Sequence, residues 1–189
     1  INKKNGDPKL SLCKPNLERT KIGNLNDVYN VELIVNMGAL NELTFTMPVY
    51  VERNNQLVKN PLVEKFNGLF HVRCDWNGQS EYFVYTKGNR KLSDSGKEYH
   101  YRLFSSGYLL SKKIIRSYDE TSKSLSWLAI DLLRETDWFI DFVDADFDLK
   151  KRSYEIAETN VLQAMFDIAS KFGALVKWDT INQRVNFVK

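Results

Sequence analysis

The sequence predicts an α+β protein: an antiparallel, barrel-like β part over residues 1–117, then a mixed part over 118–189 with two helix–β-hairpin units. Three observations carry this expectation. Short runs of alternating apolar and polar residues recur through the first two-thirds of the chain, the pattern of half-buried strands. Near Tyr118 the apolar spacing changes to threes and fours, the helical period. Aromatic residues reach 13% of the chain and sit mostly in the alternating runs, where they suit a pleated surface.

Taken in order, residues 1–27 are rich in Lys, Asn, Gly and Pro and read as an arm with one short strand. From Asn30 to Met37, Val31, Leu33 and Val35 alternate with Glu32 and Ile34. After Gly38 the run Leu43, Phe45, Met47 alternates with Glu42, Thr44 and Thr46, until Pro48 stops it. This is a hairpin with one wet face. Residues 52–62 are polar and end in the turn signal Asn60-Pro61. Leu69 to Trp76 and Glu81 to Thr86 flank Asn77-Gly78, a dipeptide that accepts the positive φ of a tight hairpin. Gly88 to Gly96 reads as a long polar loop, Glu98 to Ser105 as the next strand, and Tyr108 to Ile115 as helical or extended.

Asp119 to Ser124 reads as a polar linker whose last residue caps a helix over about 125–136, with the stripe Leu125, Leu128, Ala129, Leu132, Leu133. Strands are expected at Trp138–Val143 and Arg152–Ile156, separated by a charged turn at 144–151. The second helix has Asn160 as N-cap, with Gln163 placed to reach back to it. Leu162, Met165, Phe166, Ala169 and Phe172 form its apolar stripe, and Gly173 suits the left-handed position after its end. Ala174–Trp178 and Arg184–Val188 close the chain as a strand pair. Matching Leu132-Leu133 to Ile168-Ala169 suggests that helix and hairpin occur twice.

Charged residues are 27% and apolar residues 43%, globular values, and the formal net charge is only +3. Basic residues gather in 1–23 and 87–116 and acidic ones in 131–148, patches suited to orienting a protein partner. They are too weak to demand a nucleic acid. Cys13 and Cys74 make neither a disulfide framework nor a metal pair, which points to a reducing folding compartment. No apolar run approaches the length of a membrane-spanning helix, and no leader is legible. The chain starts at Ile1 and stops at Lys189 straight after a strand-like run, from which trimming and a continuation of the natural protein are expected.

The chemistry-bearing residues form no complete constellation. His71 and Cys74 are three apart in one strand, hence on opposite faces, and His100 reaches Cys74 only in a particular register. There is no Gly-x-Ser-x-Gly turn. Asp144, Asp146, Asp148 and Glu155 partly match a calcium loop, but Leu149 stands where glycine is needed. Gly96-Lys97 is followed by Glu98 rather than Ser or Thr, so it is no phosphate loop. Lys91, Lys97 and Arg102 beside Tyr99 and Tyr101 form a basic-aromatic patch diluted by Asp94 and Glu98. No catalytic, cofactor-binding or metal residue is therefore assigned. Phe45, Met47, Trp76, Tyr99, Tyr101, Trp138 and Trp178 are the residues expected to serve interfaces or the core.

Two stretches carry a family likeness. One is Cys13-Lys14-Pro15-Asn16, Asn24-Leu25, Leu40 through Pro48, and Val58-Lys59-Asn60-Pro61-Leu62. The other is Thr136-Asp137-Trp138, Arg152 through Ile156, Asn160 through Ala164, Phe172-Gly173, Trp178-Asp179-Thr180 and Arg184 through Phe187. In order and spacing the chain resembles the N-terminal region of the phage minor structural proteins, also called prophage tail or tail-associated lysin proteins. The resemblance implies a baseplate hub subunit at the virion tail tip, made in the host cytoplasm and assembled as a homotrimer. It implies contact with the distal tail protein and the tape measure protein, and no catalytic residue in the matching part. A C-terminal endopeptidase or wall hydrolase is implied for some full-length members. The rival expectations are the non-catalytic front of a peptidoglycan hydrolase and a module binding glycan or nucleic acid.

Overall fold

The computed structural model describes residues 8–16, 18–66 and 70–189, with side chains outside 87–90. Leu69, the expected first residue of a strand, and the basic residues Lys3 and Lys4 lie outside the described residues. The chain divides into two units: 1–35 with 41–106, and 36–40 with 107–189. The class is mixed α+β.

In the first unit β1 (Lys9–Cys13), β2 (Lys21–Asn24), β3 (Tyr29–Ile34) and β4 (Glu42–Pro48) are followed by β5 (Tyr50–Arg53), β6 (Gln56–Lys59) and the short helix α1 (Pro61–Lys65). Then come β7 (His71–Trp76), β8 (Gln79–Leu92) and β9 (Glu98–Ser105). Seven strands form one antiparallel sheet in the order β2-β1-β7-β8-β9-β4-β3. Among the described residues no pairing joins β2 to β3, so the sheet is open. Register breaks at Leu12/Cys13, Tyr29/Glu32 and Tyr85/Arg90 bend it locally. The alternating residues Leu43, Phe45, Met47, Val72, Cys74, Tyr101 and Leu103 meet in one core with Phe66 from the end of α1. Asn77-Gly78 turns β7 into β8 with φ of 49° and 76°.

Two expectations in this unit are corrected. The polar stretch 52–62 holds the β5–β6 hairpin, turned by Asn54 and Asn55 at φ 52° and 60°. Asn60 caps α1, with the Leu62 N–H donating to its Oδ1 at 3.0 Å. The expected loop at Gly88 remains strand through Leu92, because Arg90, Lys91 and Leu92 pair with Tyr101, His100 and Tyr99. The backbone ladder there overrides the polar composition.

A 3-10 turn over Ser106–Lys112 begins at the last residue of the first unit and leads into the second, which continues with β10 (Ile114–Ile115), β11 (Tyr118–Lys123), α2 (Leu125–Leu133) and β12 (Phe139–Val143). It closes with α3 (Ala145–Asp148), β13 (Arg152–Ile156), β14 (Thr159–Asn160), α4 (Val161–Phe172), β15 (Leu175–Asp179) and β16 (Arg184–Val188). Residues 119–123 of the expected linker belong to strand β11, paired antiparallel with β13, while Ser124 caps α2. The helix–hairpin repeat is also corrected. β12 does not pair with β13; it runs parallel to β16, which is antiparallel to β15. Asp144 caps α3 between β12 and β13, so the chain does not turn tightly enough to form a hairpin there.

What recurs is strand–helix–strand, with counterparts 36 positions apart: Tyr118 and Tyr154, Leu125 and Val161, Phe139 and Leu175. The register has the same symmetry. Tyr118 faces Ile156, Glu120 faces Tyr154, and Asp119 faces its own counterpart Glu155. This places a local pseudo-two-fold axis through that central pair. The Tyr118 and Tyr154 rings meet beside it at 5.9 Å. Helix starts repeat too: the Trp127 N–H donates to Ser124 Oγ at 3.3 Å and the Gln163 N–H to Asn160 Oδ1 at 2.9 Å. The Gln163 side chain does not reach back to the cap; its Nε2 donates to Asp167 at 2.8 Å. Gly173 ends α4 at φ 74°.

Candidate functional site

Of the residues expected at interfaces or in the core, Phe45, Met47 and Tyr101 are buried in the first core and Trp138 in the second. Trp76 and Tyr99 are half-buried against the first core, and Trp178 against the second. Phe45 stacks on Tyr101 at 5.2 Å, and Trp138 meets Trp178 edge-on at 5.5 Å. The structure thus brings Phe45, Tyr99 and Tyr101 together in one unit and Trp138 and Trp178 in the other.

The histidines and cysteines do not assemble into a nucleophilic pair. His100 stands opposite Thr46 and Lys91, with its Nδ1 3.0 Å from Thr46 Oγ1. His71 lies opposite Cys13 and Val84. The Cys13–His71 neighbourhood could not be found from local spacing, because it depends on the β1–β7 register. Burial pushes the Cys13 thiol up, and burial with Glu81 and Asp75 nearby pushes Cys74 up to about 12. Both are thiols, not thiolates, at neutral pH. The acidic residues are otherwise engaged. Asp144 caps α3 by accepting from Asp146 N–H at 3.2 Å, Asp146 pairs with Lys189, and Asp148 accepts from Ser126 N–H at 3.0 Å.

The outer face of the first sheet carries a shallow groove of about 470 Å³ lined by Glu32, Thr44, Thr46, Lys91, His100 and Arg102. Arg102 Nε donates to Glu42 at 2.5 Å, and Tyr29 to Glu98. Tyr99 and Tyr101 pack toward the core instead, so the basic and aromatic residues of the expected patch do not form one stacking surface.

β12 presents two exposed aromatic side chains, Phe139 and Phe142. An irregularity at Asp141 sets Phe139 opposite Arg184 and Phe142 opposite Asn186, while Ile140 and Val143 align with the buried Val185 and Phe187. Phe139 faces outward by ordinary alternation, and the extra residue turns Phe142 outward as well, so the two remain 58% and 53% exposed. The Arg184 guanidinium lies 5.6 Å from the Phe139 ring centre. In the first unit the β5–β6 hairpin likewise presents Tyr50 and Leu57, the latter 74% exposed. Large exposed apolar side chains on sheet edges and hairpins suit association with protein.

Residues 12–100 match the family model described as the YOMG N-terminal domain. The SPbeta prophage-derived uncharacterized protein YomG of Bacillus subtilis strain 168 is 32% identical over 186 residues, 98% of this chain and 21% of that protein. The prophage tail protein gp18 of Listeria monocytogenes EGD-e superposes with a TM-score of 0.65 at 11% identity, over 95% of this chain and 50% of that one. The 43 kDa tail protein of prophage MuSo2 from Shewanella oneidensis gives 0.61 at 11%, over 97% and 55%. The chain spans about a fifth of the length of YomG and about half of these solved proteins. At such identities the solved structures establish the shared fold.

Proposed function

We propose that the chain is a hub-type structural subunit of a phage tail tip, a reading supported by its 32% identity to the SPbeta prophage-derived protein YomG and by the fold it shares with prophage tail proteins. It assembles there with copies of itself, as a homotrimer, and with the distal tail and tape measure proteins, after synthesis in the host cytoplasm. The observation that carries this reading is the pair of outward phenylalanines on β12, reinforced by the exposed β5–β6 hairpin. Residues 1–117 act in this scheme as a curled, barrel-like wall and 118–189 as the mixed domain attached to it. An obligate contact between copies buries more than about 2,000 Å² and draws on such apolar groups.

Sedimentation of the chain across micromolar concentrations tests the self-assembly. A trimer that dissociates when Phe139 and Phe142 are both replaced by serine is expected; a strict monomer at every concentration opposes the ring. A second reading, recognition of glycan or nucleic acid, has the polar groove at Lys91, His100 and Arg102 as its observation. Glycan-array and filter binding with the same chain test it.

A further inference from the structure

Asn41, Glu81 and Ser105 meet where the chain enters and leaves the seven-stranded unit. Asn41 is the first residue of that unit after 36–40, and Ser106 is the last before Gly107. The Ser105 N–H donates to the Asn41 carbonyl at 2.9 Å, closing the end of β9 onto the start of β4. Asn41 Nδ2 donates to Glu81 Oε2 at 2.9 Å. Glu81 sits on β8 opposite Cys74 of β7, so three strands and one connection converge on its carboxyl group.

The group is not fully answered. Glu81 Oε1 and Ser105 Oγ are both shut off from water, and neither meets a partner at hydrogen-bond geometry. Ser105 is nonetheless near enough, with Asn41, to oppose the burial that pushes the Glu81 carboxyl up. Asn41 and Ser105 carry no charge, and the titratable group facing Glu81 from β7 is the Cys74 thiol. Among the described residues no Lys, Arg or His forms an ion pair with Glu81. A proton on Oε1 turns the carboxyl into a donor that Ser105 Oγ can accept, answering both atoms at once.

We propose that Asn41, Glu81 and Ser105 form a proton-operated clasp that fastens the start of β4 to the end of β9 when the carboxyl is neutral and loosens them when it is ionised. The sign follows from linkage. A carboxyl that holds its proton more tightly in the folded chain favours the closed state fully below the ordinary glutamate range, and that contribution is lost as pH rises through the folded value.

NMR of the intact chain between about pH 8 and pH 5 reads both the Glu81 titration and the protection of the Ser105 amide. Glu81 is expected to titrate above the ordinary glutamate range. Ser105 protection rises toward acid, by at most about tenfold per pH unit for one proton. Glu81→Gln makes that protection independent of pH. Asn41→Ala removes a donor to the carboxylate and shifts the titration higher still, which keeps the test available if Glu81→Gln does not fold. A Glu81 that titrates at or below the ordinary range overturns the clasp. So does an Asn41→Ala chain whose Glu81 titration is unmoved, or pH-dependent protection that survives in Glu81→Gln.

Discussion

The two strand–helix–strand copies of the second unit share a framework but finish it differently. In the later copy Phe166 and Leu175 are half-buried, and small residues at Ala169, Ser170 and Ala174 leave room for Gly38 and Ala39. A Cβ on Gly38 would stand 3.0 Å from Leu175 Cδ2, so the segment packs closely against that copy. In the earlier copy the same positions are the larger Leu133, Arg134 and Trp138. Its counterparts to Phe166 and Leu175, namely Ile130 and Phe139, are exposed. Asp141 adds the irregularity that sends Phe142 outward as well. Side-chain volume at three positions and one inserted residue are enough to make one copy close upon its own chain and the other present an apolar surface.

The largest test of this contrast compares neighbours in one sheet. Phe187 is fully buried on β16, and Phe187→Ala is expected to cost ~3–5 kcal/mol in urea unfolding. Phe142→Ala, one strand away, is expected to stay within about 0.5 kcal/mol. Equal losses would mean that Phe142 belongs to the core.

A smaller effect is expected at Gly107, where an added Cβ would lie 2.9 Å from Trp178 Cε3 and 3.1 Å from Leu40 Cδ2. Gly107→Ala should destabilise by ~1–3 kcal/mol and disturb the near-ultraviolet signal of Trp178. An unchanged spectrum and midpoint would show that the covering of the later copy is loose.

The smallest and sharpest test uses the paired tyrosines. The Tyr154 hydroxyl donates to Asp167 Oδ2 at 3.3 Å, whereas the buried Tyr118 hydroxyl has no hydrogen-bond partner. Tyr154→Phe is expected to cost about 1 kcal/mol and Tyr118→Phe to be nearly neutral at pH 7. Burial, with Glu120 adding its charge, pushes Tyr118 up to about 12, and burial with Asp167 pushes Tyr154 up further. Their contribution to stability is present below about pH 10, the unfolded value, and is lost as pH rises through the folded values. Thermal melts at about pH 9 and pH 11 check this, with Tyr118→Phe losing less over the interval than the parent chain.

Local rules located much of this architecture. Asn160 and Gly173 bracket α4 because an Asx cap and a left-handed glycine are chemical requirements of helix ends, and Asn77-Gly78 fixes the β7–β8 turn for a similar reason. The β5–β6 hairpin had a signal in Asn54-Asn55, but the polar residues around it read as loop. β11 was obscured because its partner is one short strand and its residues alternate weakly. The parallel placement of β12 beside β16 joins segments more than forty residues apart, and no local period records it. The duplication was legible in part: Arg116-Ser117-Tyr118 and Arg152-Ser153-Tyr154 mark the same point in each copy, before the helices that first suggested a repeat. The outward turn of Phe142 was not legible, since alternation alone cannot reveal where an extra residue interrupts it.

Because residues 36–40 are built into the second unit while flanked on both sides by the first, neither unit corresponds to one uninterrupted stretch of polypeptide. A fragment beginning at Gly107 lacks Gly38, Ala39 and Leu40 and bares the apolar side chains they cover, so it is a poor candidate for separate expression. During synthesis, too, the second unit's first five residues emerge long before the rest of it exists. They wait for about seventy further residues, and its folding is therefore completed only after nearly all of this sequence has left the ribosome.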